Sequence, residues 1–462
     1  MKDYRLRGLF KNEKIRKLFL QSWSVSWPMS LVMFFMFFIG LTDVYVAGKI
    51  GKEVQAAYGL ATQIYFILII VGLALSVGTV SLVSRLYTSG KKEEFTVAVD
   101  SSLAAALVCG LLLTAVGLIF SDKIIQFLQV PDILKIRASE LLRIYSAGVV
   151  FSYFLINSNG ILRASGLIRN SLITMALVCA LNAVLNFALA FGTPLGYRGI
   201  ALATLSSTVI GCGMNLFYLR SRISKLFKFS FAPVKTVFSI GWPAGLMQVL
   251  WQTGAMALFL FLAALPQHNV EIMAAFTNGL KIESAIFLPA FAFNMANAVV
   301  VGNLLGEKNR QDAFLIGIVT AVLGVALTLL MTALVMLNAR SIALLLSPNI
   351  VVVNECVRYI YIALLSEPVM AWGAILAGAL NGAGDTRSIM KITGVSIWLV
   401  RLPLSFLFAF TLKFGAPGVW WAMNLSLLVQ SALISLRYFK GKWLVEKLPG
   451  APEAVSVVIP VE

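Results

Sequence analysis

Charge is scarce in this sequence. Only 12% of its 462 residues are Asp, Glu, Lys or Arg, against about 25% in an average soluble protein. A chain of this size needs a polar shell to face water, and this one cannot build it. Histidine is nearly absent: His268 is the only one, so zinc sites and imidazole acid–base chemistry lack raw material. The four cysteines, Cys109, Cys179, Cys212 and Cys356, are scattered singly through apolar stretches, and no two have metal or redox spacing. No paired acidic motif for metal–diphosphate chemistry and no nucleophile with a neighbouring base is found, which argues against an enzyme. The Gly-rich GAGDTR stretch (382–387) lacks the Gly-Lys-Ser/Thr ending of a phosphate loop and reads as a tight turn after an apolar helix. No cofactor is indicated.

What the chain has instead is length in its apolar runs. Hydrophobic residues make up 59% of it, with a mean hydropathy of +0.89. A helix needs roughly 20 residues to cross a hydrocarbon core about 30 Å thick. Twelve stretches qualify: 19–47, 54–83, 95–120, 139–163, 171–192, 197–220, 236–265, 272–303, 313–337, 355–381, 389–412 and 416–439. They lack the period-two alternation of barrel strands and are too long for them. The expected fold class is an all-α integral membrane protein with twelve transmembrane helices.

The formal charge of +17 invites a nucleic-acid reading, but its placement opposes it. Seven Lys and Arg lie in residues 1–17, and more cluster at Arg85–Lys92, Arg163–Arg169, Arg220–Lys235, Lys308–Arg310, Arg387–Lys391 and Arg437–Lys447. With the N-terminus in the cytoplasm, all of these fall on the cytoplasmic side. The outer connections carry fewer cations. This is the positive-inside pattern, and it implies a multi-pass cell (inner) membrane protein with both termini cytoplasmic, partnered by the bilayer and not by nucleic acid.

An internal repeat orders the spans. Trp27-Pro28 recurs as Trp242-Pro243, and Gly90-Lys91-Lys92 as Gly306-Glu307-Lys308. ILRASGLIR (161–169) recurs as ALNGAGDTR (379–387), and YRGIALA (197–203) as APGVWWA (416–422). The matches keep their order, which is what a duplicated unit produces. Six spans per repeat is an even number, so the two halves are parallel repeats related by a pseudo-two-fold along the membrane normal. The expected organisation is an N-terminal six-helix lobe at 18–220, a cytoplasmic linker at 221–235, a C-terminal six-helix lobe at 236–440 and a short tail at 441–462.

Four segments carry a resemblance: WPMSLVMFFMFFIGLTDVYVAG (27–48), LNAVLNFALAFG (181–192), KIESAIFLPAFAFNMANAVVVGNLLGEKN (281–309) and GALNGAGDTR (378–387). In this order they resemble the multidrug and toxic compound extrusion (MATE) family, over roughly residues 18–440. The resemblance implies an antiporter that exports drug-like, often cationic or amphipathic compounds in exchange for inward H⁺ or Na⁺, with alternating access between the lobes. It also implies a monomer with small-molecule substrates. The rival reading is a lipid or lipid-linked oligosaccharide flippase of the same broader superfamily, which usually has more helices and more cations along its cavity.

Ionisable and polar groups at membrane depth are functional candidates by default. Asp43 lies near the outer end of the first span. Asn182 and Asn186 lie one turn apart in the fifth, and Thr204 lies about two turns into the sixth. A carboxylate with amide and hydroxyl oxygens can bind Na⁺, or Asp43 can hold a proton. By resemblance these are the family's N-lobe cation site, except that Asn186 stands where a second Asp is usual. The plain alternative is that Asp43 only hydrogen-bonds near a helix end. The family's C-lobe acids align with Trp251 and Met370, so that site is expected to be missing. Lys281, Glu283, Glu367 and Arg401 form a second set near mid-depth, either a direct participant in transport or a structural ion network. Phe35, Tyr65, Trp251, Met256 and Phe287 are candidates to line a substrate cavity, since broad aromatic faces and flexible Met suit promiscuous binding.

Overall fold

Long apolar runs without strand periodicity form helices, because in lipid a helix satisfies its own backbone. The computed structural model describes residues 12–224 and 226–444, and the described residues contain helices and no strand. In chain order the helices are α1 (Asn12–Ile50), α2 (Lys52–Thr88), α3 (Lys92–Phe127), α4 (Asp132–Ala147), α5 (Val149–Ala164), α6 (Ile168–Phe191), α7 (Arg198–Leu219) and α8 (Phe231–Ala263). There follow α9 (Asn269–Gly306), α10 (Arg310–Leu337), α11 (Ala339–Leu346), α12 (Ile350–Ala363), α13 (Glu367–Gly382), α14 (Thr386–Gly394), α15 (Leu402–Phe406) and α16 (Ala416–Phe439).

Eleven helices are long and apolar enough to cross a membrane, and α4 with α5 makes a twelfth span bent by 48°. The twelve spans match the twelve apolar runs one for one. The bend falls at Gly148, whose N–H is shared between the carbonyls of Ile144 and Tyr145, a local loss of the regular ladder that permits a kink. Two further spans are irregular. A 3₁₀ turn at Leu364–Ser366 joins α12 to α13, and π-helical segments at Val395–Arg401 and Leu407–Thr411 flank α15. The short helix α11 occupies a connection that the apolar pattern leaves as loop.

Large apolar side chains on the outer faces have no protein cover: Leu112, Ile119, Val184, Leu330 and Leu399 are all exposed. A water-facing surface would not carry them, and a lipid-facing one does. Helices in lipid gain little from burying apolar surface against each other, so close approach and polar contacts hold them together. Gly378 and Gly382 of α13 show this: a Cβ at either would strike the backbone carbonyl of Asn294 or Ala298 on α9. Beside them Asn297 donates from Nδ2 to the carbonyl of Ile375 at 2.8 Å. In the other repeat Asn157 of α5 accepts from the Thr79 hydroxyl of α2 at 3.2 Å.

The chain packs as two units. One comprises 31–245, and the other comprises 12–30 with 246–444 among the described residues. The division therefore falls inside α1 and α8, close to Pro28 and Pro243, whereas the sequence reading divided the lobes at 221–235. That linker is held within the first unit. Asp100 of α3, fully buried, accepts from the backbone N–H groups of Ser224 and Lys228 at 3.3 and 3.1 Å. Ser101 accepts from the N–H of Ser230 at 3.0 Å. The basic residues before Asn12 and the tail beyond Leu444 lie outside the described residues.

Candidate cation site and the C-terminal charge cluster

The α1–α2 hairpin turns at Gly51, and this sets Asp43 and Tyr58 about two turns from the bend on facing helices. The hydroxyl of Tyr58 donates to Asp43 Oδ2 at 3.4 Å. From α6, the amide nitrogens of Asn186 and Asn182 donate to Asp43 Oδ1 at 2.7 and 3.3 Å. From α7, the hydroxyl of Thr204 donates to Oδ2 at 3.1 Å. Asn182 Nδ2 also reaches Thr204 Oγ1 at 3.1 Å, and Asn186 Nδ2 reaches Asn182 Oδ1 at 3.1 Å. Asp43, Asn182 and Asn186 are buried. The four residues singled out in the sequence thus share one site, built on α1, α6 and α7.

Four donors around one carboxylate match an ionised Asp43, since each oxygen accepts two bonds. The same groups carry oxygens. Asn186 Oδ1 is buried with no partner, and a half-turn of an amide exchanges its nitrogen for its oxygen. With Asp43, Asn182, Thr204 and Tyr58 this gives a set of oxygens suited to a hard monovalent cation, while Asp43 alone suits a proton. Among the described residues no group of three or more His, Cys, Asp or Glu gathers as a metal site, so Asp43 is the only acid of this set.

Tyr58 was not singled out by sequence reading, because a tyrosine in an apolar helix reads as core. The hairpin spacing to Asp43 is the signal that finds it. Tyr145 of α4 completes an aromatic wall, its ring 6.4 Å from Tyr58 and 5.1 Å from Tyr65. Tyr65 bonds Ser152 Oγ at 2.7 Å, which places this cavity candidate beside the Asp43 site. Phe35 lies half-buried on α1, its ring 6.3 Å from Phe34.

In the other unit, Tyr359 of α12 donates to Glu283 Oε1 of α9 at 2.6 Å. Glu367, at the start of α13, is 3% exposed, and its Oε2 has no hydrogen-bond partner. Arg401, in the first π segment, donates from Nε to Ser426 of α16 at 2.8 Å. Its guanidinium lies 5.0 Å from the ring of Trp251. Lys281 is exposed and makes no ion pair with these acids among the described residues. The structure therefore ties Glu283 to Tyr359 and Arg401 to Ser426 and Trp251, buries Glu367, and leaves Lys281 outside these contacts. Of the remaining cavity candidates, Trp251 belongs to this cluster, Phe287 pairs with Phe291 at 5.8 Å, and Met256 is exposed.

The family model MatE matches residues 28–188 and 243–407, most of both repeats. The chain belongs to the MATE family of transporters. It is 24% identical over 415 residues to a probable multidrug resistance protein NorM of Thermotoga maritima, covering 87% of this chain and 88% of that protein. It is also 24% identical to the multidrug resistance protein NorM of Vibrio vulnificus strain CMCP6, over 86% of this chain and 90% of that one. In fold it resembles the outward-facing structure of a multidrug resistance MATE family transporter of the MOP superfamily. That likeness has a TM-score of 0.87 at 22% identity and covers 93% of this chain and 97% of the other. Both MatE segments begin at a Trp-Pro repeat, so the duplication read from the sequence is the MATE repeat. This MATE transporter carries its cation-site candidates in the first segment and in α7, just beyond it.

Proposed function

We propose that this MATE transporter exports drug-like, often cationic or amphipathic compounds in exchange for inward H⁺ or Na⁺, with alternating access of its two lobes. The observation that carries the reading is Asp43, a buried carboxylate whose hydrogen-bond partners among the described residues are neutral donors from three other helices, α2, α6 and α7. A cation or proton at Asp43 competes with those bonds, so its arrival rearranges α1 against α6 and α7. Exchange needs only that ion and substrate differ in their affinity for two conformations. Relatives named for multidrug resistance support the substrate class. The protein is read as a monomer in the cell (inner) membrane with cytoplasmic termini, because each candidate site is complete within one chain and the cations follow the positive-inside pattern.

The test is efflux of ethidium from proteoliposomes under separately imposed Na⁺ and pH gradients. Gradient-driven efflux by the wild type, abolished in Asp43→Asn, is the expected result, and the effective gradient names the ion. Efflux that survives Asp43→Asn would move coupling elsewhere, and no efflux under either gradient would favour the flippase reading.

A further inference from the structure

At the Gly51 end of the 31–245 unit, three helices beside the Asp43 site are joined by side chains that the site itself does not use. Arg137 and Glu140 stand three residues apart on one face of α4. Arg137 donates to Glu53 Oε2, at the start of α2, at 3.1 Å, and its guanidinium lies 5.9 Å from the ring of Tyr197. Glu140 takes both arms of Arg198, the first residue of α7. Nε donates to Oε2 at 2.8 Å and Nη2 to Oε1 at 2.7 Å. The hydroxyl of Tyr197 donates to Glu140 Oε2 as well. The other charges on α4 pair elsewhere, Lys135 with Asp132 at 3.5 Å and Arg143 with Asp122 of α3.

These contacts make a collar that runs from α2 through α4 to α7. An isolated exposed ion pair contributes little, but a bidentate Arg–carboxylate pair inside a network is the exception. The collar joins the two helices that carry the donors to Asp43 Oδ2. Tyr58 lies five residues beyond Glu53 on α2, and Thr204 six beyond Arg198 on α7, which is about 8 and 9 Å along the helix axes. Both donate to Oδ2, at 3.4 and 3.1 Å. The third helix, α4, reaches the same depth at Tyr145, whose ring is 6.4 Å from that of Tyr58. Oδ1 is served differently. Both of its donors come from α6, which has its own contact with α1 through the rings of Phe187 and Tyr45, 6.4 Å apart.

We propose that Glu53, Arg137, Glu140 and Arg198 are positioning residues for Asp43: the collar sets the spacing of α2 and α7 and so fixes the two donors on Oδ2. Among the described residues none of the four bonds to Asp43, so each acts through Tyr58 or Thr204. Removing a collar charge lets the ends of α2 and α7 part, which lengthens the bonds to Oδ2 and spares those to Oδ1. The inference deepens the Asp43 reading and rests on it for what the site is for. Its test reads the carboxyl group itself and not transport, so the two fail separately.

The experiment is infrared spectroscopy of the purified full-length protein in lipid, carrying isotope-labelled aspartate. The difference between protein with and without Asp43→Asn isolates the Asp43 band. Ionised or protonated, a carboxyl group gives a stretching band whose frequency follows its hydrogen bonds. Glu140→Gln is expected to shift this band in the same direction as Tyr58→Phe. Arg198→Lys, which keeps the charge but not the fork, should do the same, and Lys135→Gln should leave the band in place. In a background of Tyr58→Phe with Thr204→Val, Oδ2 has lost both donors, and Glu140→Gln should add no further shift, because the effects of coupled residues are not additive. A band unmoved by both Glu140→Gln and Arg198→Lys would overturn the proposal. So would a full-sized Glu140→Gln shift in the background without Oδ2 donors. Circular dichroism and gel filtration establish that each variant is folded; if Glu140→Gln is not, Arg198→Lys takes its place in both comparisons. A shifted band without ion-driven efflux keeps the collar and removes the antiport reading, and ion-driven efflux with an unmoved band does the reverse.

Discussion

At the scale of the residue, Asp43 is defined by its donors, and their unequal lengths rank their effects. Asn186 is the closest, at 2.7 Å, and Tyr58 the longest, at 3.4 Å. A hydrogen bond to a charged group contributes about 1.5–3 kcal/mol, and about 1.4 kcal/mol is a factor of ten. These donors fix the carboxylate in place, so removing one loosens it. Asn186→Ala is therefore expected to lower gradient-driven efflux about tenfold. It should weaken any Na⁺-driven efflux, since an oxygen ligand is lost as well. Tyr58→Phe should move both in the same directions by less. Efflux rates measured across a pH series and a Na⁺ series check the order, and a larger effect from Tyr58→Phe would contradict it. The sequence made Asp43, Asn182, Asn186 and Thr204 legible because polar groups at one depth stand out in apolar helices. It hid Tyr58 because tyrosine is ordinary there. It showed the C-terminal charges but not their pairing: which oxygen lacks a donor is decided by rotamers and helix rotation, and neither leaves a trace in composition.

At the scale of the element, spans were legible and their breaks were not. A run of apolar residues fixes where a helix crosses, but the bend at Gly148, the 3₁₀ turn before Glu367 and the π segments around α15 leave hydropathy unchanged. These breaks matter, because the buried charges Glu367 and Arg401 sit at two of them. The regular parts of the helices depend on close crossings. At Gly378 the obstacle to a side chain is the backbone carbonyl of Asn294, which cannot rotate aside. Gly378→Ala should therefore cost about 1–3 kcal/mol of stability, as overpacking does. Gly213, exposed on α7 with open space around its Cα, is the contrasting case. Gly213→Ala should be neutral or stabilising by up to about 1 kcal/mol through helix propensity. Thermal unfolding in detergent compares the two, and equal midpoints would mean that the α9–α13 crossing can open by the needed distance without loss.

At the scale of the whole molecule, the same cations that look like a nucleic-acid signature support the proposed orientation. Among the described residues, Arg85–Lys92, Arg163–Arg169, Lys308–Arg310 and Arg387–Lys391 follow the second, fourth, eighth and tenth spans. Four such connections on one side favour the proposed cytoplasmic placement, because an inverted arrangement would translocate all of them together. The connections offer exposed positions to label. Glu307 lies between α9 and α10 and Leu412 between the last π segment and α16, and both are exposed. In a background with the four native cysteines replaced, Leu412→Cys should react with a membrane-impermeant thiol reagent on intact cells. Glu307→Cys should react only after the membrane is opened. The reverse pattern would invert the molecule. Asp43 would then lie near the inner face, and the same gradients that drive export would meet it from the wrong side.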